Sequence, residues 1–454
     1  MTLAIHAIAE DQNRWWADVH HRNSRTIRHV RPIFSRLWAH LGDRATDRAA
    51  VLIGPRQVGK TTLLLQLADR LLDEGWPPAN LTYFDFGDDR LGDPVSPRLL
   101  TSMETPGLRS DWPRIFLLDE VQESVNWQRW LKGAVDAARR IDPQLRPSFV
   151  LTGSAAGHLR DGGIESGPGR WDEISIEGLT YSEFLMLGAN PGETANDVAA
   201  REPSAFRRYL LFGGFPEHAR LGGGQEDPLA RIRQDIVERA ILRDLRRQGV
   251  DLDRVKRLFL YLATDSGSIW NAEARASDLG ANSKSVVDWL TLLEQTHLIR
   301  RLERDNARAK ASSRLKSRPK IYAADHGLIT ALSAVSDPIS DTDIRGKVLE
   351  AAVYRHIREF DRSGNVTFFR PGEDLEIDFL IPRRGQPPIA IEVTGATNAD
   401  SRKLLRFSKA ARLAGSSRQL LVHGGIGLHS EGTVDLIGAR DFLLAPENWL
   451  GDAK

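Results

Sequence analysis

The sequence has 454 residues, with 62 Lys+Arg against 61 Asp+Glu, 41% apolar residues, 38 glycines and no cysteine. At about 150 residues per domain, that length predicts roughly three domains, each able to bury a core of its own. A net charge of +1 excludes a uniformly basic nucleic-acid coat protein and confines any such site to a local patch, while 27% charged residues among plentiful Leu, Val and Ile exclude global disorder. Without cysteine there is no disulfide framework, thiolate metal site or cysteine nucleophile, which suits a reducing cytoplasm. The N-terminus, MTLAIHAIAEDQNRWW, has neither the apolar length nor the basic lead of a signal peptide. No later run approaches the roughly 20 apolar residues of a membrane span, so a cytoplasmic protein without membrane association is expected. Residues 1–45 are read as an N-terminal helical segment.

From Ala50, AVLIGPRQVGKTTLLLQLADRLL reads as strand, glycine-rich turn and helix, the helix carrying Leu63, Leu64, Leu67 and Leu71 on one face. Gly54, four residues, Gly59, Lys60 and Thr61 have the spacing of a phosphate-binding loop. Gly54, Pro55, Arg56, Gln57, Val58, Gly59, Lys60, Thr61 and Thr62 are therefore the candidate ATP-binding residues. The glycines let backbone N–H groups turn inward around the phosphates, aided by the positive helix terminus. Lys60 is expected to reach the β- and γ-phosphates, and the Thr61 hydroxyl to hold Mg²⁺.

Leu81–Phe86 is a second short strand with Asp85 at its polar end. A third buried run, Arg114 to Glu120, ends in two carboxylates: Asp119 is the candidate that steadies hydrated Mg²⁺, and Glu120 the candidate that polarises the attacking water. That glutamate argues for hydrolysis and not merely binding. The alternative, an ordinary strand ending in exposed acids, loses ground because the run follows a phosphate loop. The strand Phe149 to Ser154 ends in hydroxyls beside Gly153, so Thr152 or Ser154 is a candidate contact for the γ-phosphate or the lytic water; a plain strand end turning at Gly153 reads nearly as well. Strands alternating with helices predict a parallel sheet with its ligand at the strands' carboxyl ends, giving a P-loop ATPase domain over residues 46–185. An arginine is expected at the γ-phosphate, often from a neighbouring subunit. Arg170, in GPGRWDEI, is the first candidate and Arg243, in RAILRDLRR, the second; a solvated surface arginine is the alternative for both.

GPRQVGKTTLL, LLDEVQ, LTGSA, a GR followed by IEGLTYSEFL, YLLFGGFPE, ILRDL, KIYAADHGL, GKVLEAAVY, EIDFL and IEVTG follow one another in that order. In these motifs the sequence resembles a prokaryotic family of ATPases that pair an AAA+-related P-loop domain with a C-terminal DUF4143 domain. The first 40 residues fall outside the resemblance. It implies an α/β fold: an AAA+-like P-loop parallel sheet with a helical lid, here 186–250, then a winged helix, here 251–320, and a restriction-endonuclease-like α/β domain, here 321–454. A homo-oligomer, such as a ring, is also implied, but no substrate.

Ser204 to Leu245 has a helical pattern broken by Gly213-Gly214-Phe215-Pro216, a tight turn. Next, Val255 to Ala263 reads as an amphipathic helix, Glu273 to Leu279 as a second, Gly280-Ala281-Asn282 as a turn, and Ser283 to Gln295 as a third helix with Val286, Val287, Leu290 and Leu293 inward. Ser283, Lys284, Ser285 and Asp288 then face outward near the third helix's N-terminus, where a recognition helix meets a DNA groove. Arg300, Arg301, Arg304, Arg308, Lys310, Arg314, Lys316, Arg318 and Lys320 form a basic wing opposed only by Glu303 and Asp305. Ser283, Lys284, Ser285, Arg308, Lys310, Arg314 and Lys316 are the candidate DNA contacts, mostly to phosphates. With few aromatic residues nearby, duplex or branched DNA is favoured over single strands. A protein-packing role for this module is the alternative.

In the C-terminal domain, Val366–Arg370, Leu375–Ile381 and Ile389–Val393 read as strands and Arg402–Ala414 as a basic helix. Within the restriction-endonuclease-like fold that the resemblance implies, Glu350, Asp378 and Glu392 are the candidate nuclease-like carboxylates. The lysine expected two residues after Glu392 is Thr394, so the set is incomplete and a degenerate nuclease is expected, unless Lys403 takes the missing role. The sequence thus predicts a Mg²⁺-dependent ATPase that remodels or translocates along DNA. A nucleotide-controlled switch for a protein partner in stress or defence signalling is the first alternative and an ATP-licensed nuclease the second.

Overall fold

The computed structural model describes residues 2–23, 29–43, 46–153, 169–219, 228–234, 245, 249–305, 317–360, 365–372 and 374–451. Two compact units emerge, Met1–Glu177 and Gly178–Lys454.

In the first unit, β1 (Ala49–Ile53), β2 (Leu81–Asp85), β3 (Ile115–Asp119), β4 (Ser148–Gly153) and β5 (Trp171–Ser175) form one parallel sheet in the order β2-β3-β4-β1-β5. Continuous apolar strands such as Ile115–Leu118, all buried, are what a sheet covered on both faces requires. The phosphate-loop strand β1 lies between β4 and β5, so the loop leaves the sheet beside the ends of β4 and, one strand further, β3. β5 was not foreseen; its mixed sequence WDEIS hides an edge strand with only one well-buried face.

The N-terminal segment is part of this unit. Helix α1 (Thr2–Gln12) buries Ile5, Ile8 and Ala9 in the core shared with Phe84, Phe116 and Trp171. Beyond it, Asn13 acts as a strand substitute along the free edge of β2: its amide donates to the Tyr83 carbonyl and accepts from the Tyr83 N–H, both at 2.7 Å. Trp15 and Trp16 donate to the Leu81 carbonyl. An edge that would otherwise expose unpaired backbone is therefore closed by side chains.

The second unit holds a helical part, a three-stranded sheet and a six-stranded sheet. Helices Tyr181–Met186, Ala195–Arg201, Ala205–Phe212, Pro216–Ala219 and Pro228–Ile232 occupy the region expected as a lid. Their anchor lies on His326–Leu332, whose N-cap Asp325 accepts from the Gly214 N–H at 2.9 Å and the Gly327 N–H at 2.8 Å. Gly213 has φ +72°, and a Cβ there would fall 1.8 Å from Asp325 Oδ1. His356 Nδ1 donates to the Ala352 carbonyl at 2.7 Å while its Nε2 accepts from the Tyr181 N–H at 3.0 Å; burial pushes its pKa down to about 3, so the ring is neutral. TYSEF, YLLFGG, AADHGL and LEAAVYRH thus converge on one buried polar joint, and these motifs are structural.

Then come Leu252–Thr264, β6 (Ser268–Ile269), Ala272–Leu279, Ser283–Gln295, β7 (Ile299–Leu302) and β8 (Lys320–Ala323), with an antiparallel sheet ordered β6-β8-β7. The expected boundary after Lys320 falls inside β8. The chain closes with Thr342–Phe360, β9 (Thr367–Gly372), β10 (Leu375–Arg383), β11 (Gln386–Thr394), Ser401–Leu413, β12 (Arg418–His423), β13 (Leu428–Glu431) and β14 (Val434–Gly438), in a mixed sheet ordered β13-β14-β12-β11-β10-β9. Phe407, Ala410 and Ala411 of Ser401–Leu413 pack against Ile377, Ala390 and Leu421. Among the described residues, no helix is long and apolar enough to cross a membrane.

Candidate active site

The loop after β1 turns through two left-handed residues, Gln57 (φ 61°) and Gly59 (φ 93°), before helix α2 (Lys60–Asp73) begins. Gly54 is closed on its outer side: a Cβ there would lie 2.2 Å from the Ile176 carbonyl oxygen. A Cβ at Gly59 would meet nothing within 4 Å, so there the loop is held to glycine by its positive φ alone. Lys60, 5% exposed, donates to the Gly54 and Pro55 carbonyls at 3.0 and 2.8 Å, holding its ammonium against the loop. This backed cradle with a lysine at its floor and a helix N-terminus behind it fits a triphosphate.

Asp119, at the end of β3, is 1% exposed. Its carboxylate accepts from the Thr152 hydroxyl of β4, from Thr61, and from the Tyr83 hydroxyl at 3.2 Å. Burial and the neighbouring Glu120 raise its pKa, against those hydroxyl bonds and the Lys60 charge. The Thr61 hydroxyl beside Asp119 supplies the oxygen donors that a nucleotide-bound Mg²⁺ requires, so the residues fit that ion. Thr152 also accepts from the Glu120 N–H at 3.1 Å, placing the hydroxyl between the two acids. Glu120 itself sits in left-handed backbone at φ 49°, an uncommon conformation for a non-glycine residue. Gln122, 5% exposed, donates from Nε2 to Glu120 Oε2.

Three residues escaped the sequence reading as site residues. Asp85, paired in register with Asp119, has its pKa raised to about 6 by burial and by the Asp119 charge, with further small contributions from Glu120 and Asp88. Only its place at a polar strand end hinted at this. Gln12 of α1 accepts from the Asp85 N–H at 3.0 Å. Arg31, 8% exposed, donates from Nη1 to the Val58 carbonyl of the loop and to the Glu177 carbonyl, both at 3.0 Å. No local pattern marks either of these, because both act from outside the recognised motifs.

Of the two arginine candidates, Arg170 lies away from its own chain's phosphate loop. It immediately precedes β5, level with the amino end of β1, a strand's length from the loop, and forms a bidentate pair with Asp136 at 3.0 Å. That pair holds the Asp136 carboxyl below its ordinary range. Ser154 and Arg243 lie outside the described residues.

In the second unit, Asn282 caps Ser283–Gln295 by accepting from the Ser285 N–H at 2.8 Å, leaving Ser283 and Lys284 exposed and Ser285 half-buried. Val286, Trp289, Leu290 and Leu293 face inward; Val287, expected there, is 42% exposed because the helix turns its face by one position. Arg308, Lys310, Arg314 and Lys316 lie outside the described residues. Three of the other wing cations are opposed by acids from elsewhere: Arg301 pairs with Glu294 at 2.7 Å, Arg318 with Glu273 at 3.2 Å, and Lys320 is buried among carboxylates. Glu350, Asp378 and Glu392 do converge around this lysine and Lys403.

Residues 46–185 match the family described as AAA domain, residues 345–439 the domain of unknown function DUF4143, and residues 203–339 another, DUF8612. An uncharacterized protein of Haemophilus influenzae is 27% identical over 292 residues, 62% of this chain and 68% of its own length. Among solved structures, a Walker-type ATPase of Pyrococcus abyssi aligns over 69% of this chain and 99% of its own at 18% identity and a TM-score of 0.39. The ORC1 protein of Aeropyrum pernix, in complex with DNA, aligns over 71% and 97% at 15% identity and a TM-score of 0.29. The fold and the matched domain define a P-loop ATPase that hydrolyses ATP. In particular, the chain is an AAA-type ATPase with a C-terminal DUF4143 domain.

Proposed function

We propose that the chain is a Mg²⁺-dependent ATPase that binds duplex or branched DNA through residues 251–320 and spends ATP to remodel or move along it. ATP is held by the loop from Gly54 to Thr62, Mg²⁺ by Thr61 and Asp119, and Glu120 polarises the water, with Thr152 fixing the position of both acids. The ion supplies charge neutralisation for the phosphates when bound. An arginine of a neighbouring copy, Arg170 or Arg243, completes the site, since Arg170 lies beside the amino end of β1, away from its own chain's loop.

The observation that carries the DNA reading is the module helix, strand, helix, helix, strand, strand, whose third helix presents exposed Ser283 and Lys284 at a capped N-terminus. This is the element order of a winged helix, and such a terminus is suited to a phosphate or a groove edge. ATP turnover with no DNA, duplex, single strand and four-way junction tests it. Stimulation by duplex or junction is expected; one rate in all four conditions refutes the reading.

A second reading, a slow nucleotide-controlled switch for a protein partner, draws on the hydrogen bond from Gln122 to Glu120, which occupies an oxygen of the residue that must engage water. It predicts slow turnover, indifferent to DNA, that rises in Gln122→Ala.

A further inference from the structure

A restriction-endonuclease-like active site places a divalent cation between carboxylates of adjacent strands. Here the corresponding residues do not fit one. Lys320 Nζ lies 2.6 Å from Glu376 Oε1, 2.9 Å from Asp378 Oδ1 and 3.3 Å from Glu350 Oε1, with its side chain only 4% exposed. An ammonium has three protons to donate, and each of these is matched to a carboxylate. Lys403 Nζ, from the helix Ser401–Leu413, lies 3.2 Å from Glu392 Oε1 and 2.9 Å from the Val393 carbonyl.

Other oxygens of the set are engaged as well. Asp378 Oδ2 accepts from the Val393 N–H at 2.9 Å, and Glu350 Oε1 also accepts from the Tyr322 hydroxyl at 2.6 Å. Thr394 Oγ1, at the motif-lysine position, accepts from the Ala396 N–H at 3.3 Å. Glu392 Oε2 is buried with no hydrogen-bond partner among the described residues. Among the described residues no group of three or more His, Asp or Glu is disposed to hold a metal ion.

We propose that Lys320 and Lys403 are built-in cations that fill this carboxylate site, so that it takes the chain's own ammonium groups in place of a divalent metal and does not cleave phosphodiesters. The site's function is then attachment. Lys320 belongs to β8, while Glu376 and Asp378 belong to β10 and Glu350 to Thr342–Phe360; the lysine therefore fastens the three-stranded sheet to the C-terminal sheet. A backbone link reinforces it, with Phe368 of β9 donating to the Glu303 carbonyl at 3.0 Å and accepting from the Asp305 N–H at 2.7 Å.

The test is Mn²⁺ binding by the full chain without nucleotide, in an Asp119→Asn background that silences the ATPase metal site, together with plasmid nicking by the wild-type chain in ATP and Mg²⁺. With both lysines intact, no Mn²⁺ binding above that of an Asp378→Asn, Glu392→Gln control and no nicking are expected. Lys403→Ala should gain one Mn²⁺ site, lost again on adding Asp378→Asn. Lys320→Ala should lower the melting temperature, with Mn²⁺ restoring part of the loss. Mn²⁺ bound at Asp378 and Glu392 with both lysines present, nicking abolished by Glu392→Gln, or a folded Lys403→Ala chain that binds no Mn²⁺ would each overturn the proposal. The lysine-intact measurement decides even where a lysine variant fails to fold.

Discussion

Arg31→Ala isolates the contribution of a segment that precedes the matched ATPase domain. The guanidinium spans two carbonyls, Val58 in the phosphate loop and Glu177 after β5, each at 3.0 Å and largely buried. A hydrogen bond from a charged donor contributes about 1.5–3 kcal/mol, and a tenfold change in affinity corresponds to about 1.4 kcal/mol. If the Val58 bond alone bears on the loop's shape, its loss weakens nucleotide binding by about 10- to 150-fold, because the loop must be reordered by the ligand. The Glu177 bond bears on stability, so the melting temperature should also fall by a few degrees. Titration with a fluorescent ATP analogue gives the affinity, and steady-state turnover separates KM from kcat. KM should rise while kcat changes little, with Arg31→Lys intermediate because both bonds leave one nitrogen, Nη1, whose place the shorter lysine side chain reaches only in part. An affinity within twofold of wild type alongside a lowered melting temperature would show that Arg31 merely packs, and would refute the reasoning.

Asp85 sets a pH dependence of opposite sign to that of a salt-bridged acid. Its folded pKa is raised to about 6 from 3.8, so the folded state holds the proton more tightly and loses stability as pH rises through that window. Asp85→Asn should therefore raise the nucleotide-free unfolding free energy at pH 8 by about 1–2 kcal/mol after allowance for partial exposure, with the difference vanishing below about pH 4; an equal difference at both pH values contradicts the assignment. Asn13→Ala leaves the Tyr83 N–H and carbonyl without their partner and should cost about 2–4 kcal/mol in urea unfolding; a change below 0.5 kcal/mol, the size of an ordinary surface substitution, would mean that β2 does not depend on this closure. Gly213→Ala puts a Cβ 1.8 Å from Asp325 Oδ1 in backbone open to glycine, so loss of about 3 kcal/mol or more, or failure to express in soluble form, is expected; wild-type stability would contradict the close packing of that turn.

The phosphate loop and the carboxylate strand were legible because each chemistry lies within a few consecutive residues. Gly54, Gly59 and Lys60 stand together, and Asp119 and Glu120 end a strand whose burial the apolar run already declares. The helix Ser283–Gln295 was legible for the same reason, its apolar residues recurring at helical spacing after the Gly280-Ala281-Asn282 turn. What the sequence concealed acts between distant segments. Arg31 and Gln12 touch the site through backbone groups about 27 and 73 residues away, leaving no spacing to read. Arg301, Arg318 and Lys320 read as unopposed because their partners, Glu294, Glu273 and Glu376, lie outside the run in which charges were counted. Lys320 shows this most clearly: at the end of a basic stretch it reads as solvated, yet it is the centre of a buried ion cluster.

Hydrolysis at this site is tested most directly by single-turnover ATP cleavage in Glu120→Gln, compared with wild type at saturating Mg²⁺-ATP. Removing a general base typically costs about 10²–10⁴-fold, and the phosphate cradle does not involve this side chain. Cleavage slowed by at least 10²-fold, with ATP affinity retained, is the predicted result. Cleavage at the wild-type rate would contradict the assignment of Glu120, and with it the account of how β3, Thr152 and the phosphate loop work together.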